Sequence, residues 1–357
     1  PTIDDATEQF DTCVEPYHSY FADTFDNCIA VVTCQDRTML VRTRSGVPPG
    51  LVCATKVFNK CYDKPLQEYY ENIKPATLLL DVKTIDTNKI VNAASTSFVD
   101  DLSTTVVTQH SPEALRPTVE FINSELDLAI AKCSMAQNTT KAMSIACCKG
   151  PGTQKAMNIM KEDKNIGVVQ SCRYLGPQLH WNGSTACEVK IRVKQSWSCF
   201  FMYRRFWKRN CRMSFKRNVF IAAVVATLLS GMTAFVLSAS GMESLTRAYC
   251  SMVRKILGEK SVNIVTTEQQ DGSKKNIYKK KSNRDILMLF RVPPLETLLR
   301  VQRLNFLQSM LKDMQHHQLY LATLFNRYEH GERCEVNPWQ RQYYNDIMEL
   351  QHFDNID

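Results

Sequence analysis

No two cysteines in this sequence are spaced Cys-x-x-Cys, although the chain has 14 cysteines among its 357 residues. Nor do any cysteines and histidines lie at zinc-ligand spacing, so the cysteines do not indicate a zinc module. The start of the chain also lacks the basic segment and short apolar run of a secretory leader. These absences predict reduced, mostly buried thiols in a cytoplasmic or nuclear protein that is not secreted.

Acidic residues are missing from one long stretch, between Glu188 and Glu243. The chain has a net charge of +8, and its basic residues are concentrated beyond Glu188. This asymmetry predicts a polyanionic partner for the second half of the chain, and the candidates are nucleic acid and a membrane surface.

An apolar and β-branched run covers residues 95–107 and is interrupted only by Asp100 and Asp101. The pattern predicts a β-hairpin whose tip carries both acids. Carboxylates at the edge of a sheet can meet a divalent ion and a phosphate, which suits metal-dependent phosphoryl chemistry. The alternative for an isolated Asp-Asp pair is a solvated turn.

A glycine-bracketed loop precedes a segment with helical apolar spacing, residues 52–62. Glycines on either side of a proline pair make a rigid bend whose backbone can approach a ligand closely. The alternative is a simple Pro-Gly turn before a helix. The loop and helix residues of interest are Gly46, Val47, Pro48, Pro49, Gly50 and Phe58.

The loop and the Asp-Asp hairpin together resemble motifs B and C of reverse transcriptases. Gly46, Gly50 and Phe58 fall in register with motif B, and residues 98–101 reproduce motif C. Pro49 stands where the family has a glutamine. The resemblance implies that this loop shapes the nucleotide and template pocket.

Motifs D and E follow in the order of that family. Asn138 and Lys141 match motif D, and the resemblance implies that Lys141 donates a proton to the departing pyrophosphate. A surface lysine is the alternative for Lys141. Tyr174, Leu175 and Gly176 look like the Y-L-G hairpin of non-LTR retrotransposon enzymes, which implies a primer grip.

A capping-box pattern from Thr185 to Glu188 predicts the start of a long helix that is rich in basic and aromatic residues. Such a helix, extending to about residue 217, suits the backbone of a nucleic-acid duplex, and a solvated basic face is the alternative. The predicted nucleic-acid-binding residues are Lys190, Arg192, Lys194, Arg204, Arg205, Lys208, Arg209 and Arg212.

The uncharged run 219–237 is long enough to span a bilayer. Polar and small residues near its middle, including Thr227 and Ser230, favour a buried thumb helix over a membrane span. Further on, Lys279 opens a lysine cluster in a predicted flexible basic insertion.

The resemblance covers about residues 20–320 and implies an α+β protein with the right-hand polymerase fold. Its parts would be a palm of antiparallel sheet with packed helices, an all-helical thumb and C-terminal helices. The predicted domains are an irregular N-terminal edge of the fingers and palm (1–27), the palm (28–184), the thumb (185–258), the basic flexible insertion (259–283) and a C-terminal helical segment (284–357).

The same resemblance implies an RNA-directed DNA polymerase that takes an RNA template, a DNA primer and deoxynucleoside triphosphates. Asp100 and Asp101 would bind two Mg²⁺ ions, or Mn²⁺. A further carboxylate is needed, which the family supplies from its motif A, and Asp5 is one candidate for it. Otherwise motif A preceded residue 1, and the chain is a truncated, inactive enzyme. Two alternatives stay open: a non-catalytic nucleic-acid-binding remnant of a retroelement, and a membrane protein with a span at 219–237.

Overall fold

The computed structural model describes most of the second half of the chain and separate segments of the first. The described residues are 29–34, 37–42, 54–76, 81–83, 90–92, 95–98, 101–106, 112–132, 135–147, 152–162, 168–268, 274–312, 328–330, 333–335 and 338–351. They are mixed helix and sheet, and mostly helical. The chain divides into two compact units, the first formed by 1–83 and 89–169 and the second by 84–88 and 170–357.

The strands of the first unit form separate antiparallel hairpins. The pairs are β1 (Ile29–Cys34) with β2 (Arg37–Arg42), β3 (Asp81–Lys83) with β4 (Ile90–Asn92), and β5 (Ser95–Phe98) with β6 (Asp101–Thr104). The last pair confirms the hairpin predicted around Asp100 and Asp101. Within the described ranges no sheet has more than two strands, so the coarse α+β class is seen without the continuous sheet of a palm.

Two helices supply the core of the first unit, α1 (Ala54–Ile73) and α2 (Leu115–Ala131). Apolar residues recur every three or four positions, which places them on one face of each helix. The buried set is Tyr62, Leu66, Tyr69, Ile73, Ile122, Ala129 and Ile130. The short helix α3 (Thr153–Glu162) follows.

Two segments of this unit differ from the structure that their sequences favour. Ser111-Pro112 is a typical helix start, and Ser111 lies outside the described residues. The 3₁₀ turn Pro112–Ala114 precedes α2, and Ala114 provides no side-chain cap. The apolar run after Lys141 favours a strand, but among the described residues it makes one isolated bridge, between Ser144 and Val168, because the residues before it form a turn.

The second unit opens with the hairpin β7 (Ser171–Arg173) and β8 (Gln178–His180). The long basic helix predicted next is broken into α4 (Ala186–Met202), α5 (Arg204–Lys208) and α6 (Met213–Val219). The first helix ends at its cap residue Tyr203, and the second ends before Arg209, whose backbone is extended with ψ at 146°. The prediction of one helix to residue 217 was therefore wrong.

A π-helical section, Phe220–Val225, continues α6 into α7 (Ala226–Leu229). The stretch Met213–Ala234 is long and apolar enough to cross a membrane by length and composition, and a third of its most apolar window is buried. One face of this stretch packs into the core of the unit. Its buried residues are Phe220, Val224, Val225, Leu228, Leu229 and Met232.

The helix α8 (Ala239–Leu257) lies at the centre of the same core. Ser238 caps it, because its hydroxyl accepts a hydrogen bond from the Gly241 N–H at 3.2 Å. Arg254, near its C-terminal end, donates to the carbonyl of Lys281.

The segment predicted as a flexible insertion contains a paired hairpin, β9 (Val262–Glu268) with β10 (Lys274–Lys280). β-branched residues in Val262-Asn-Ile-Val-Thr-Thr favour an extended strand, which explains the difference. Beyond it, α9 (Asn283–Phe290) and α10 (Leu295–Lys312) lie in the predicted C-terminal helical segment. The last described elements are β11 (Tyr328–His330), β12 (Arg333–Glu335) and α11 (Pro338–Gln351).

Candidate nucleic-acid interface

The Asp-Asp hairpin is present, with its register fixed by backbone pairing. Phe98 pairs with Asp101, which leaves Val99 and Asp100 between the strands, and both of these lie outside the described residues. Asp101 is the first residue of β6 and is exposed. It therefore begins a strand, where the sequence predicted it at the tip.

The hairpin is attached to α1 by a hydroxyl contact. The Tyr69 hydroxyl lies 3.1 Å from Thr104 Oγ1, and Ser95 Oγ donates to the same Thr104 oxygen at 3.3 Å. Tyr69 is 1% exposed, and its burial raises the pKa of its hydroxyl to about 12. The strand that begins at Asp101 is thus fixed to the core of the first unit.

A complete ligand set for magnesium is not found in the described part of the chain. No group of three or more His, Cys, Asp or Glu side chains there is arranged to hold a metal ion. Asp101 is the one predicted ligand that is described, since Asp100 and Asp5 lie outside those ranges. The residues in view do not by themselves fit the two-ion site.

The other predicted residues of the first unit are only partly described. The loop residues Gly46, Val47, Pro48, Pro49 and Gly50 lie outside the described residues. Phe58 is half-buried on α1, where its ring packs 5.4 Å from that of Tyr62.

Lys141 is exposed in a turn after α2. Its backbone N–H donates to the carbonyl of Asn138 at 2.9 Å, so the two motif D residues meet through the backbone. The described contacts give the Lys141 side chain no ion pair. Its position is compatible with either interpretation offered from the sequence.

The predicted primer-grip residues form the turn between β7 and β8. Leu175 and Gly176 both have positive φ, at 48° and 109°, and glycine adopts such angles at little cost. The Tyr174 N–H donates to the carbonyl of Pro177 at 3.0 Å, which closes the turn. Leu175 is strained for a residue with a side chain and is 49% exposed, so the turn presents an apolar side chain outward.

Glu188 joins this hairpin to α4, and its role differs from the one predicted. Thr185 makes no side-chain cap, so there is no capping box. Glu188 is instead buried, and its carboxylate accepts from the Gln178 N–H at 2.8 Å and from Arg192 Nε at 2.5 Å. The Arg192 side chain is only 11% exposed and its Nε is held by Glu188, so we treat it as a structural partner of Glu188 and leave it out of the exposed cations.

The remaining predicted nucleic-acid ligands are all exposed. Within the described ranges none of them forms an ion pair, and no acid occurs in the sequence between Lys190 and Glu243. These seven exposed cations, called the basic surface below, are Lys190, Lys194, Arg204, Arg205, Lys208, Arg209 and Arg212. Lys216 is different, because it is buried and its Nζ donates to the carbonyl of Trp207 at 2.6 Å.

The sequence indicated aromatic residues among these cations, but not that they pack as a cluster around Trp207. The Trp207 ring stacks on Phe200 at 5.4 Å, and its Nε1 donates to the Phe200 carbonyl at 2.8 Å. Phe201, Tyr203 and neighbouring rings surround this pair. The available signal was the unusual run Phe-Phe-Met-Tyr-Arg-Arg-Phe-Trp from residue 200.

No protein-family model, no curated protein and no solved structure matches this chain.

Proposed function

We propose that this chain is the palm and thumb part of a reverse transcriptase of the non-LTR retrotransposon type, and that its second unit holds an RNA–DNA duplex. The observation that carries the proposal is the basic surface. Seven exposed cations without carboxylate partners in the described ranges lie directly after a strained hairpin with the sequence Tyr-Leu-Gly. A phosphate backbone is the ligand that such a surface attracts most strongly, because binding releases condensed counterions.

The geometry of α4 supports a duplex ligand. Lys190 and Lys194 are four residues apart, so they lie about one helical turn apart on one face. The buried pair of Glu188 and Arg192 fixes the start of the same helix against the hairpin. A rigid helix with charges at regular spacing follows a regular backbone better than a mobile segment does.

The catalytic part of the proposal depends on the order of the sequence motifs. In it, Asp100 and Asp101 bind divalent ions, Lys141 protonates the pyrophosphate, and a primer 3′-hydroxyl attacks an α-phosphate. Asp101 is an exposed residue at the start of a strand that is fixed to a core, which suits a metal ligand. The substrates would be an RNA template, a DNA primer and deoxynucleoside triphosphates.

A second candidate function is a retroelement remnant that binds nucleic acid without catalysis. The basic surface supports it equally, because exposed cations bind a phosphate backbone without any catalytic centre. Both candidates predict duplex binding by the basic surface, so only a catalytic assay separates them. The membrane-spanning alternative predicts instead that Met213–Ala234 partitions into detergent or vesicles.

The decisive assay is extension of a DNA primer on an RNA template with Mg²⁺ or Mn²⁺, with duplex binding measured in the same samples. We expect extension by the wild-type chain and its loss in Asp100→Asn and Asp101→Asn, because each removes a charge that the ions require. Asp127→Asn, at an exposed position on α2, is the matched control and should extend normally. Duplex binding with no extension by any variant would establish the second candidate instead.

A further inference from the structure

Trp207 anchors a chain of aromatic rings that runs from the core of the second unit to its surface. The Trp207 ring is 6% exposed and lies 6.4 Å from the buried ring of Phe220. Its Nε1 is held by the Phe200 carbonyl, and its own carbonyl is held by Lys216 Nζ. The Trp207 side chain and the Trp207 backbone therefore both fix the turn between α4 and α6.

Three rings attached to this anchor reach the solvent. Phe201 is 52% exposed and stacks on Trp197 at 5.5 Å, while Phe215 is 56% exposed and meets the ring of Phe206 edge-on at 5.3 Å. Tyr203 is 38% exposed, 5.9 Å from Trp207. Each ring is supported on one side by another ring, so little conformational entropy is left to lose on binding.

Cations are interleaved with these rings. Five basic residues occur between residues 204 and 212, and in the described ranges none of them is paired with an acid. An open groove of about 450 Å³ lies along one face of α4; Lys194 lines it, and so does Met202 at the end of the helix, which is 80% exposed. Exposed rings and unpaired cations thus occur together in the short stretch from residue 201 to residue 215.

We propose that this aromatic and basic turn binds a single-stranded stretch of nucleic acid. Unpaired bases would stack on Phe201, Tyr203 and Phe215, and Arg204, Lys208 and their basic neighbours would hold the phosphates. The inference rests on the proposed function, because it names the single-stranded part of the same polyanionic ligand. It assigns the duplex to the face of α4 that carries Lys190 and Lys194.

An unpaired strand fits the exposed rings better than a duplex does. In a duplex the faces of the bases are covered by their neighbours, whereas in a single strand every base offers a free face to an aromatic ring. A membrane surface would select an apolar face along a longer helix. Here α5 has only five residues, and three of them are charged.

The test measures the affinity of the full chain for two probes, a single-stranded RNA of about 12 nucleotides and a blunt RNA–DNA duplex. The test variant is Phe201→Leu with Phe215→Leu, which keeps apolar bulk and removes both rings. Phe201→Tyr with Phe215→Tyr restores the rings. Met288→Ser with Leu289→Ser alters two exposed apolar residues elsewhere on the same unit.

We expect the leucine variant to lose at least about tenfold in affinity for the single strand, and less than about twofold for the duplex. The tyrosine and control variants should bind both probes like the wild type. Unchanged binding of the single strand by the leucine variant would overturn the inference. So would a wild-type chain that binds the duplex and not the single strand, a result that leaves the proposed function standing.

The alternative ligand is tested in parallel with vesicles that contain anionic lipid. Vesicle binding that is lost in the leucine variant, with no binding of the single-stranded RNA, would overturn the inference and make the turn a membrane-binding surface. A wild-type chain that does not bind the duplex would instead count against the proposed function. The probes therefore distinguish the failure of one proposal from the failure of the other.

Discussion

A single buried carboxylate connects the hairpin to α4. Glu188 is 1% exposed, and its two oxygens have different partners, the Gln178 N–H and the Arg192 guanidinium. Removing the charge leaves a mostly buried arginine without its counter-ion. Such a loss is costly, since a buried charge keeps its desolvation penalty after its partner has gone.

We predict that Glu188→Gln lowers the free energy of unfolding by about 2 to 4 kcal/mol, although the amide still accepts from Gln178. Urea unfolding followed by circular dichroism measures the change. The control is Glu243→Gln, which removes the exposed ion pair with Arg247 and should lower stability by less than about 1 kcal/mol. Equal effects for the two substitutions would show that the Glu188 pair is not structurally important.

Tyr69 gives a prediction about alkaline pH. Burial raises its pKa to about 12, while an unfolded tyrosine ionises near pH 10. The folded state favours the neutral hydroxyl, so this contribution to stability is fully present below pH 10 and is lost as the pH rises from about 10 to 12.

Replacing Tyr69 with phenylalanine removes that ionisable group and keeps the ring. We compare the free energy of unfolding at about pH 9.5 and about pH 11.5, which covers the titration range of Tyr69. The decrease between these two values should be about 1 to 2 kcal/mol smaller for the variant than for the wild type. Tyr344→Phe, at a residue that is 62% exposed, is the comparison and should follow the wild type. The same pH slope in all three proteins would refute the assignment.

At the scale of elements, the most buried ion pair joins α10 to α11. Arg303 Nε and its terminal nitrogen donate to the two oxygens of Asp346 at 2.5 and 2.7 Å, and Asp346 is 0% exposed. Gln342 adds a third hydrogen bond to the same carboxylate. A bidentate pair of this kind fixes the orientation of one helix on the other.

We expect Asp346→Ala to lower the free energy of unfolding by about 3 to 5 kcal/mol, because Arg303 is left buried and unpaired. The double variant Asp346→Leu with Arg303→Met should recover most of that loss, since it removes both charges. Denaturant unfolding measures both variants. Glu349→Ala, which removes an exposed partner of Arg300, is the control, and a double variant no better than Asp346→Ala would contradict the explanation.

The periodicity of the sequence was sufficient for most helices and several hairpins. Apolar spacing located α1, α10 and the β5–β6 pair, because these elements bury one face or alternate regularly. It failed where tertiary contacts decided the outcome. Glu188 looks like a capping residue in sequence, and only the fold reveals that it accepts from a hairpin on the other side.

The breaks in the basic helix show a second limit. The apolar spacing continues through Tyr203 and therefore predicts one helix. Spacing alone does not show that Trp207 is buried between the two breaks. Charge counting was sufficient to find the seven cations of the basic surface. The removal of Arg192 from that set depends on its contact with Glu188, which sequence spacing does not reveal.

At the scale of the whole molecule, charge is distributed very unevenly. Residues 189–242 contain ten cations and no acid, while the whole chain carries +8, so the remaining residues are net negative by two. A polyanion is therefore attracted to one part of the chain and weakly repelled by the rest. Such asymmetry orients a charged ligand during the encounter.

This distribution predicts a steep dependence of nucleic-acid binding on salt. A duplex with a single-stranded extension would engage all seven cations of the basic surface, and for this probe the logarithm of the binding constant should fall with the logarithm of salt concentration with a slope of about −5. Lys190→Gln with Lys194→Gln should reduce the magnitude of that slope by about two. A salt titration followed by fluorescence anisotropy measures both slopes.

The matched control is Lys255→Gln with Lys260→Gln, which removes two exposed cations from the same unit outside the basic surface. It should leave the slope unchanged. An equal reduction by the two pairs would mean that net charge alone governs binding.

The π-helical section has a consequence for the length of the chain. At Ala226 the N–H reaches back five residues to Ile221, so the section contains one residue more than the α-helical register requires. Deleting the exposed residue Ala222 would let the backbone hydrogen bonds return to the usual four-residue spacing. The residues that follow would then keep the same sides toward the core. A deletion at Ala226, beyond the section, would turn Leu228 and Met232 away from the core. Loss of one residue should therefore be tolerated at Ala222 and not at Ala226.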